Sequence, residues 1–262
     1  MLELKNPHSV LAALETRSQD VIEIRLGTVK PHGVWNDVVD AAGQFGVTVR
    51  RGTSRQQEGR RRQKHLSQKH ERVGNSEATV RENSGVDLDT LFAGVSDAKN
   101  AGLWLALDCL QDPHNVGAVF RSAAFFGVRG IVVTRDRSAP LNSTAYDVSC
   151  GGFEYVPFSA QTNLSRALES AKECGLWVLG TSEHAEKDVA DIERDRPWLV
   201  LIGNEEQGLR RLTIQKCDTM CRLAPRGKVT SLNASVAAGI LIANLTGDSD
   251  GNLNRTGATR PD

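Results

Sequence analysis

The sequence lacks an excess of charge of either sign. Its 262 residues contain 32 Lys and Arg and 32 Asp and Glu, so the formal net charge is +0 at pH 7. Because the charges balance, the net charge does not indicate a strongly charged partner. A partner has to be inferred from local features instead.

Long apolar runs, a secretion signal and paired cysteines are also missing. No segment reaches 18 consecutive apolar residues, so no membrane-spanning helix is expected. Glu3 and Lys5 precede any apolar run, which argues against a signal peptide. The 5 cysteines show no C-x-x-C and no His-paired spacing typical of zinc. We therefore expect a cytosolic (cytoplasmic) protein with reduced, mostly buried thiols and no metal site.

Positive charge is concentrated in one segment, RRGTSRQQEGRRRQKHLSQKHER, at 50–72. It contains nine Lys or Arg and two Glu. Such clustering is an electrostatic footprint for a polyanion. A solvated or mobile linker would have the same composition, and that interpretation stays open. The candidate phosphate contacts are Arg60, Arg61, Arg62 and Lys64.

The two halves of the chain differ in pattern. The first half predicts a small α/β unit, with helices at 7–15 and 34–46 and strands at 21–26 and 47–50. Gly, Ser, Asp and Asn accumulate near the middle, where a linker is expected. The C-terminal residues lack apolar periodicity and are expected to be disordered. The predicted division is a first domain at 1–83, a linker at 84–100, a second domain at 101–247 and a tail at 248–262.

The second half alternates short apolar runs with helical stretches. The predicted strands are 103–108, 130–134, 154–158, 176–181, 198–203 and 220–224. Continuously apolar strands separated by helices predict a parallel sheet covered on both faces. Because ligands bind at the carboxyl ends of strands in such sheets, functional residues are expected there.

Two of these strand ends carry polar residues of interest. After the first strand, Asn115 is a candidate helix cap and Arg121 lies on the same predicted helix. After the strand at 198–203, Glu205 stands between Gly203 and Gly208. Glycines permit a tight turn and the close approach of a ligand. Each of these signals is weak by itself. They would indicate a functional site if the residues lie together in the fold.

A third strand end leads into LAPRGKVTSLNASVAAGILIANL, at 223–245. Ser231, Asn233 and Ser235 crowd the first turn of the helix predicted there. Helix capping accounts for one such residue. Together, the three strand ends form a site-like constellation.

Three segments resemble a known family. DPHNVGAVFRSA, LIGNEEQGLRRLT and APRGKVTSLNASVAAGILI resemble, in order and spacing, the motifs of the SpoU/TrmH class of SPOUT RNA ribose 2'-O-methyltransferases. RDRSAPLNSTAYDVSCGGFEYVPF is similar to the segment between the first two motifs, so the resemblance covers about 103–246. NPHSVLAALE and the α/β pattern around it resemble the L30e-like domain of the branch that modifies ribosomal-RNA guanosine. The basic segment departs from that domain, and Asn204, Glu206 and Gln207 depart from the commoner A-E-G-E-G pattern.

The resemblance implies a fold and an activity. The fold is α/β, with a parallel-sheet SPOUT domain that ends in a trefoil knot and a small N-terminal L30e-like domain that binds RNA. The activity is 2'-O-methylation of a ribose with S-adenosylmethionine (S-adenosyl-L-methionine) as cofactor. Ribosomal RNA is favoured as substrate over transfer RNA, and a homodimer is expected.

The resemblance also implies roles for individual residues. The cofactor contacts are the backbone at Gly203, Leu223 and Leu232, with Thr181 nearby. The catalytic set is Asn115, Arg121, Glu205, Ser231 and Asn233. We favour Arg121 as a phosphate clamp that stabilises the alkoxide, because a guanidinium stays protonated and is a poor base. Asn115 and Glu205 would hold Arg121, while Ser231 and Asn233 would orient the ribose or the cofactor.

Functions of other classes fit less well. A non-catalytic RNA-binding module would need the basic segment but none of the catalytic set, every member of which is present. A nicotinamide-dependent oxidoreductase would need G-x-G-x-x-G after the first strand of the second half, and that pattern is absent. The GK at 227–228 does not match the phosphate-binding pattern G-x-x-x-x-G-K-[ST]. Arg222 replaces the first glycine, and Val229 replaces the metal-binding hydroxyl.

Overall fold

The computed structural model describes residues 1–28, 30–52, 76–95 and 102–246. Most of the basic segment, including Arg60, Arg61, Arg62 and Lys64, lies outside the described residues, as does the predicted tail. The chain divides into two compact units. The first comprises Met1–Gly85, Asp112–Ala124 and Ala139–Pro157, and the second comprises Val86–Gln111, Phe125–Ser138 and Phe158–Asp262.

The described residues form the following strands and helices. The strands are β1 (Leu2–Leu4), β2 (Val21–Leu26), β3 (Val49–Arg51), β4 (Glu77–Val80), β5 (Leu103–Leu107), β6 (Gly130–Thr134), β7 (Phe158–Gln161), β8 (Trp177–Thr181), β9 (Lys187–Asp188), β10 (Trp198–Ile202) and β11 (Thr219–Arg222). The helices are α1 (Pro7–Arg17), α2 (Val34–Phe45), α3 (Leu88–Phe92), α4 (Pro113–Phe126), α5 (Ser143–Ser149), α6 (Gly152–Tyr155), α7 (Leu164–Glu173), α8 (Arg211–Ile214) and α9 (Ala234–Thr246).

The first unit is built on a four-stranded sheet in the order β1-β4-β2-β3. β4 pairs antiparallel with β1 and β2, while β2 and β3 pair in parallel. The N-terminal segment is tied to the later part of the unit by the backbone N–H groups of Lys5 and Asn6, which each donate to Asp147 Oδ1 at 2.9 Å. The Arg17 guanidinium donates two 2.7 Å hydrogen bonds to the buried carboxylate of Glu154. These long-range bonds explain why residues far apart in sequence form one unit.

One predicted strand is wrong. Of the residues predicted as the strand 154–158, Glu154 and Tyr155 end the short helix α6, and only Phe158 belongs to a strand, β7. Gly151, with φ of +96°, lets the chain turn into α6 directly after α5. Phe153 then stacks between Phe120 and Tyr146, with ring centroids 3.8 and 4.3 Å away. A short apolar run fits either element, and here aromatic packing selected the helix.

The second unit is a seven-stranded sheet in the order β7-β6-β5-β10-β8-β11-β9, and every pairing is parallel. All residues of β5, β6 and β10 are buried. From β5 the chain adds β6 and β7 on one side, and β10 lies on the other side. The strand order therefore reverses between β5 and β10, the position at which ligands bind in open parallel sheets.

Within the described part of the chain, no helix has both the length and the apolar character needed to cross a bilayer.

Candidate active site

Three neighbouring strands bring three of the predicted cofactor residues to one edge of the sheet. β10, β8 and β11 are adjacent and parallel, so their carboxyl ends lie together. β8 ends at Thr181, β10 is followed by Gly203, and β11 is followed by Leu223. The Thr181 hydroxyl donates to the Leu201 carbonyl at 2.8 Å, which fixes its side chain at this edge. These three residues therefore lie at the sheet edge where ligands bind in parallel sheets.

The loop after β10 is a tight turn closed by its own backbone. Asn204 and Gly208 exchange two backbone hydrogen bonds of 3.0 and 2.9 Å, and Gly208 has φ of +65°. A Cβ at Gly203 would lie 2.3 Å from the Gly208 carbonyl carbon and 2.5 Å from the Leu209 nitrogen. The sequence suggested that a ligand approaches Gly203. The structure shows that the returning backbone of the same loop already requires glycine there.

Glu205 is exposed at the tip of this turn, and its carboxylate is held by the segment that follows β5. Oε2 accepts from the Gln111 backbone N–H at 3.2 Å and from Asn204 Nδ2 at 3.3 Å. Asn204 Nδ2 also donates to the Cys109 carbonyl at 2.9 Å. The loops after β5 and β10 are thus joined where the strand order reverses.

Asp108, at the end of β5, is a buried carboxylate that the sequence analysis did not single out. Its Oδ2 accepts from Thr213 Oγ1 at 2.8 Å and from the Arg210 backbone N–H at 3.3 Å. Arg210 Nε lies 2.7 Å from Oδ1, close enough for an ion pair although the alignment does not make a hydrogen bond. The sequence feature that could have identified Asp108 is an acidic residue at the end of an apolar strand. Its partners lie more than 100 residues away in sequence.

The residue after Asp108 adopts a left-handed conformation. Cys109 has φ of +62°, which is uncommon for a residue with a side chain. Its backbone N–H donates to Thr134 Oγ1 at 2.9 Å and its carbonyl accepts from Asn204. Burial raises the pKa of the Cys109 thiol, which lowers the fraction of the sulfur present as thiolate at neutral pH. These hydrogen bonds hold the backbone in its strained turn.

The polar cluster before α9 is partly explained by capping. Asn233 Oδ1 accepts from the Ser235 backbone N–H at 2.9 Å and from Ser235 Oγ at 2.6 Å, so Asn233 caps α9. Ser231 and Leu232 are exposed in the segment just before this cap. Capping therefore accounts for two of the three polar residues and leaves Ser231 without a structural role of that kind.

Asn115 and Arg121 lie on α4 in the first compact unit, whereas the other seven predicted catalytic and cofactor residues lie in the second. The prediction that Asn115 caps this helix is wrong. Helix α4 starts at Pro113, and Asp112 Oδ1 accepts from the His114 backbone N–H at 2.8 Å. Asn115 is instead a buried residue within the first turn, because proline favours the first helical position and moves the cap to the residue before it. Arg121 is exposed.

Sequence comparison identifies relatives for the second half of the chain. The model of the SpoU rRNA Methylase family matches residues 102–243. The chain is 42% identical over 156 residues to the putative TrmH family tRNA/rRNA methyltransferase YacO of Bacillus subtilis, which covers 60% of this chain and 63% of that protein. It is 45% identical over 140 residues to the 23S rRNA (guanosine-2'-O-)-methyltransferase RlmB of Pseudomonas aeruginosa, covering 53% and 56%. The matched region thus spans less than two thirds of these relatives.

Structural comparison supports the fold. The chain is similar to the SpoU methyltransferase AviRb from Streptomyces viridochromogenes, with a TM-score of 0.75, 20% identity and coverage of 94% of this chain and 88% of that one. The same enzyme in complex with AdoMet gives a TM-score of 0.72 at 22% identity, covering 93% and 88%. The predicted α/β fold with a parallel sheet is confirmed by this likeness. Because the family match extends over more than half of the residues, the chain belongs to the SpoU rRNA Methylase family.

Proposed function

We propose that this chain methylates a ribose 2'-hydroxyl of RNA with S-adenosylmethionine, and that its favoured target is a guanosine of large-subunit ribosomal RNA. The observation that supports this most is the convergence of Thr181, Gly203 and Leu223 at one sheet edge in a chain of the SpoU family. A relative named as a 23S rRNA (guanosine-2'-O-)-methyltransferase supports the target. Transfer RNA is the second candidate, since another relative is named for both RNAs. A ribosomal target would be met in the cytoplasm.

The residues at the sheet edge fit the cofactor. The backbone groups at Gly203, Leu223 and Leu232 would hold it, with Thr181 beside them. Residues 225–232 are exposed and form neither helix nor strand, so this backbone lies where a ligand with many polar atoms could meet its N–H and C=O groups. When bound, the cofactor supplies an electrophilic methyl group on a sulfonium.

The protein's part in the reaction is to place the ribose and to stabilise charge. The hydroxyl must lose its proton as it attacks, and positioning supplies much of the acceleration. Arg121 would bind the adjacent phosphate and stabilise the developing alkoxide, because its cationic guanidinium is exposed. The buried Asn115 would support the helix that presents Arg121. Glu205 would supply an orienting carboxylate, and Ser231 with Asn233 would orient the ribose or the cofactor.

The identity of the acceptor can be tested directly. An RNA substrate with a single 2'-deoxy substitution at the target nucleotide should still bind, because phosphate contacts provide most of the affinity. It should accept no methyl group, because the 2'-hydroxyl is gone. The measurement is transfer of radiolabelled methyl to each RNA, with the all-ribose RNA as control. Labelling of the deoxy-substituted nucleotide would show that a base atom is methylated and would refute the proposed reaction.

The first unit and the basic segment would bind the RNA. Two described residues of that segment, Arg50 and Arg51, are exposed on β3. The mixed sheet with α1 and α2 supports the proposal of an L30e-like domain. A salt titration of RNA affinity, described below, tests the role of the segment.

We also propose that the chain forms a homodimer through α9. Val236 and Ile240 are 50% and 39% exposed, and their spacing of four places them on one face of α9, while Leu232, 53% exposed, lies just before the cap of this helix. A contiguous apolar stripe of this kind is typical of an interface. Light scattering at micromolar concentration should give twice the chain mass, and Val236→Glu should shift it towards the monomer, whereas Ile22→Glu on β2 should not. A monomeric wild-type mass would refute the proposal.

The trefoil knot is a further part of the proposal. β11 lies inside the sheet, between β8 and β9, and α9 then packs against β5 and the turn Val189–Asp191. This return of the C-terminal segment across the sheet supports a threaded path. An experimental structure in which residues 223–246 do not pass through a closed loop of the preceding chain would refute the knot.

A further inference from the structure

The side chain of Asn204 uses both ends of its amide within the loop after β10. Its Oδ1 accepts from the backbone N–H groups of Glu206 at 3.0 Å and Gln207 at 3.1 Å. Its Nδ2 donates to the Cys109 carbonyl at 2.9 Å and to Glu205 Oε2 at 3.3 Å. The acceptor therefore shapes the turn, and the donor joins the turn to the end of β5 and to the neighbouring carboxylate.

The Cys109 carbonyl, which accepts the hydrogen bond from Asn204, belongs to backbone that other hydrogen bonds hold in place. Cys109 follows the buried Asp108, whose backbone N–H donates to the Ile202 carbonyl at 2.8 Å. The backbone N–H of Cys109 is held by Thr134. Asn204 thus links the tip of a surface turn to backbone that the sheet holds in place.

We propose that Asn204 is a positioning residue for Glu205, setting the direction of its carboxylate through the Nδ2 donor. This inference rests on the proposed function, in which Glu205 acts at the reaction centre. The Glu205 side chain is exposed, so few packing contacts restrict its rotamer and hydrogen bonds must do so. Two donors reach the same oxygen, Oε2, from the Gln111 backbone and the Asn204 amide.

One substitution removes the donor of the Asn204 side chain and keeps its acceptor. Asn204→Asp keeps an oxygen that can accept from Glu206 and Gln207, so the turn is retained. It removes the donor to Cys109 and places a negative charge beside the Glu205 carboxylate, which like-charge repulsion turns away. Gln207→Glu is the matched control, because it adds the same charge to the same loop without touching that donor.

The first readout is methyl transfer under saturating substrate, with cofactor affinity measured by calorimetry. Asn204→Asp should lower kcat about tenfold, as expected for a misplaced catalytic group, and change the cofactor Kd less than about twofold. Gln207→Glu should behave like the wild type. In a Glu205→Gln background, Asn204→Asp should cause no further loss, because it acts through that carboxylate. If Asn204→Asp lowers kcat by the same factor in the Glu205→Gln background as in the wild type, the inference is overturned.

The second readout does not depend on activity. In Asn204→Asp, the Gln111 amide loses its carboxylate acceptor, so its solvent exchange measured by NMR should be faster than in the wild type and in Gln207→Glu. Unchanged exchange would overturn the positioning role even if the wild type proves inactive. Absence of methyl transfer by the wild type, with faster Gln111 exchange in Asn204→Asp, would refute the proposed function and leave the positioning of Glu205 supported.

Discussion

The substitution Gly203→Ala tests whether the tight turn after β10 sets cofactor affinity. The added Cβ would lie 2.3 Å from the Gly208 carbonyl carbon, 2.5 Å from the Leu209 nitrogen and 2.7 Å from the Gly208 oxygen. Comfortable contact between such atoms needs about 3.5 Å, so the turn must move by roughly 1 Å. All three neighbours are backbone atoms, and no side chain can rotate to make room.

Two effects should follow from this displacement. Overpacking of this kind costs about 1–3 kcal/mol of stability, which corresponds to a decrease of a few degrees in Tm. The backbone groups at Gly203 that would bind the cofactor also move, and loss of one hydrogen bond of about 1–1.5 kcal/mol raises the Kd about tenfold. We therefore expect a folded protein with slightly lower Tm and markedly weaker binding of S-adenosylmethionine.

The control is Gly130→Ala, at the amino end of β6 and the opposite edge of the sheet. Its Cβ would meet Leu91 Cδ1 at 2.7 Å and Trp104 Cδ1 at 3.0 Å, which are side-chain atoms in the core. This variant should lose comparable stability and keep its cofactor affinity. Thermal melting and calorimetry on both variants separate the two effects. A folded Gly203→Ala protein with the Kd of the wild type would refute the assignment of the cofactor to this turn.

Three further outcomes are expected. Arg121→Ala should abolish methyl transfer and leave the cofactor Kd within about twofold by calorimetry, because backbone groups elsewhere hold the cofactor; loss of cofactor binding in the folded variant would contradict this. Neutralising the four basic residues within 60–64 should weaken RNA binding and flatten its dependence on salt, by roughly 0.7–0.9 in log–log slope per lost phosphate contact, and an unchanged slope would favour the linker interpretation. Burial raises the pKa of Cys217 to about 11 and of Cys221 to about 12, so at pH 8 about one thiol in a thousand or fewer is ionised. Alkylation followed by mass spectrometry should therefore modify the exposed Cys174 first and reach the other two only as the pH rises; equal rates at pH 8 would contradict this.

Local signals predicted most of the secondary structure. Short, mainly apolar runs predicted β5, β6, β8 and β10 within one residue at each end, because strands covered on both faces of a parallel sheet have few polar positions. The end of α4 also carries a local signal, because Gly127 follows the helix with φ of +71°. Failures occurred where two local rules competed. The run before β7 satisfied both helix and strand patterns, and Pro113 moved the cap of α4 from Asn115 to Asp112.

The residues of the strand ends could be named from the sequence, but their arrangement could not. β10 lies between β5 and β8, so the sheet order differs from the chain order, and only tertiary pairing brings Thr181, Gly203 and Leu223 to neighbouring strands. Asn204 was noted only as a departure from a motif, and Asp108 was not noted at all. Their partners, Cys109 and Thr213, lie 95 and 105 residues away. Sequence periodicity reports which face of an element is buried, whereas a hydrogen bond across such a separation exists only once both segments are folded against each other.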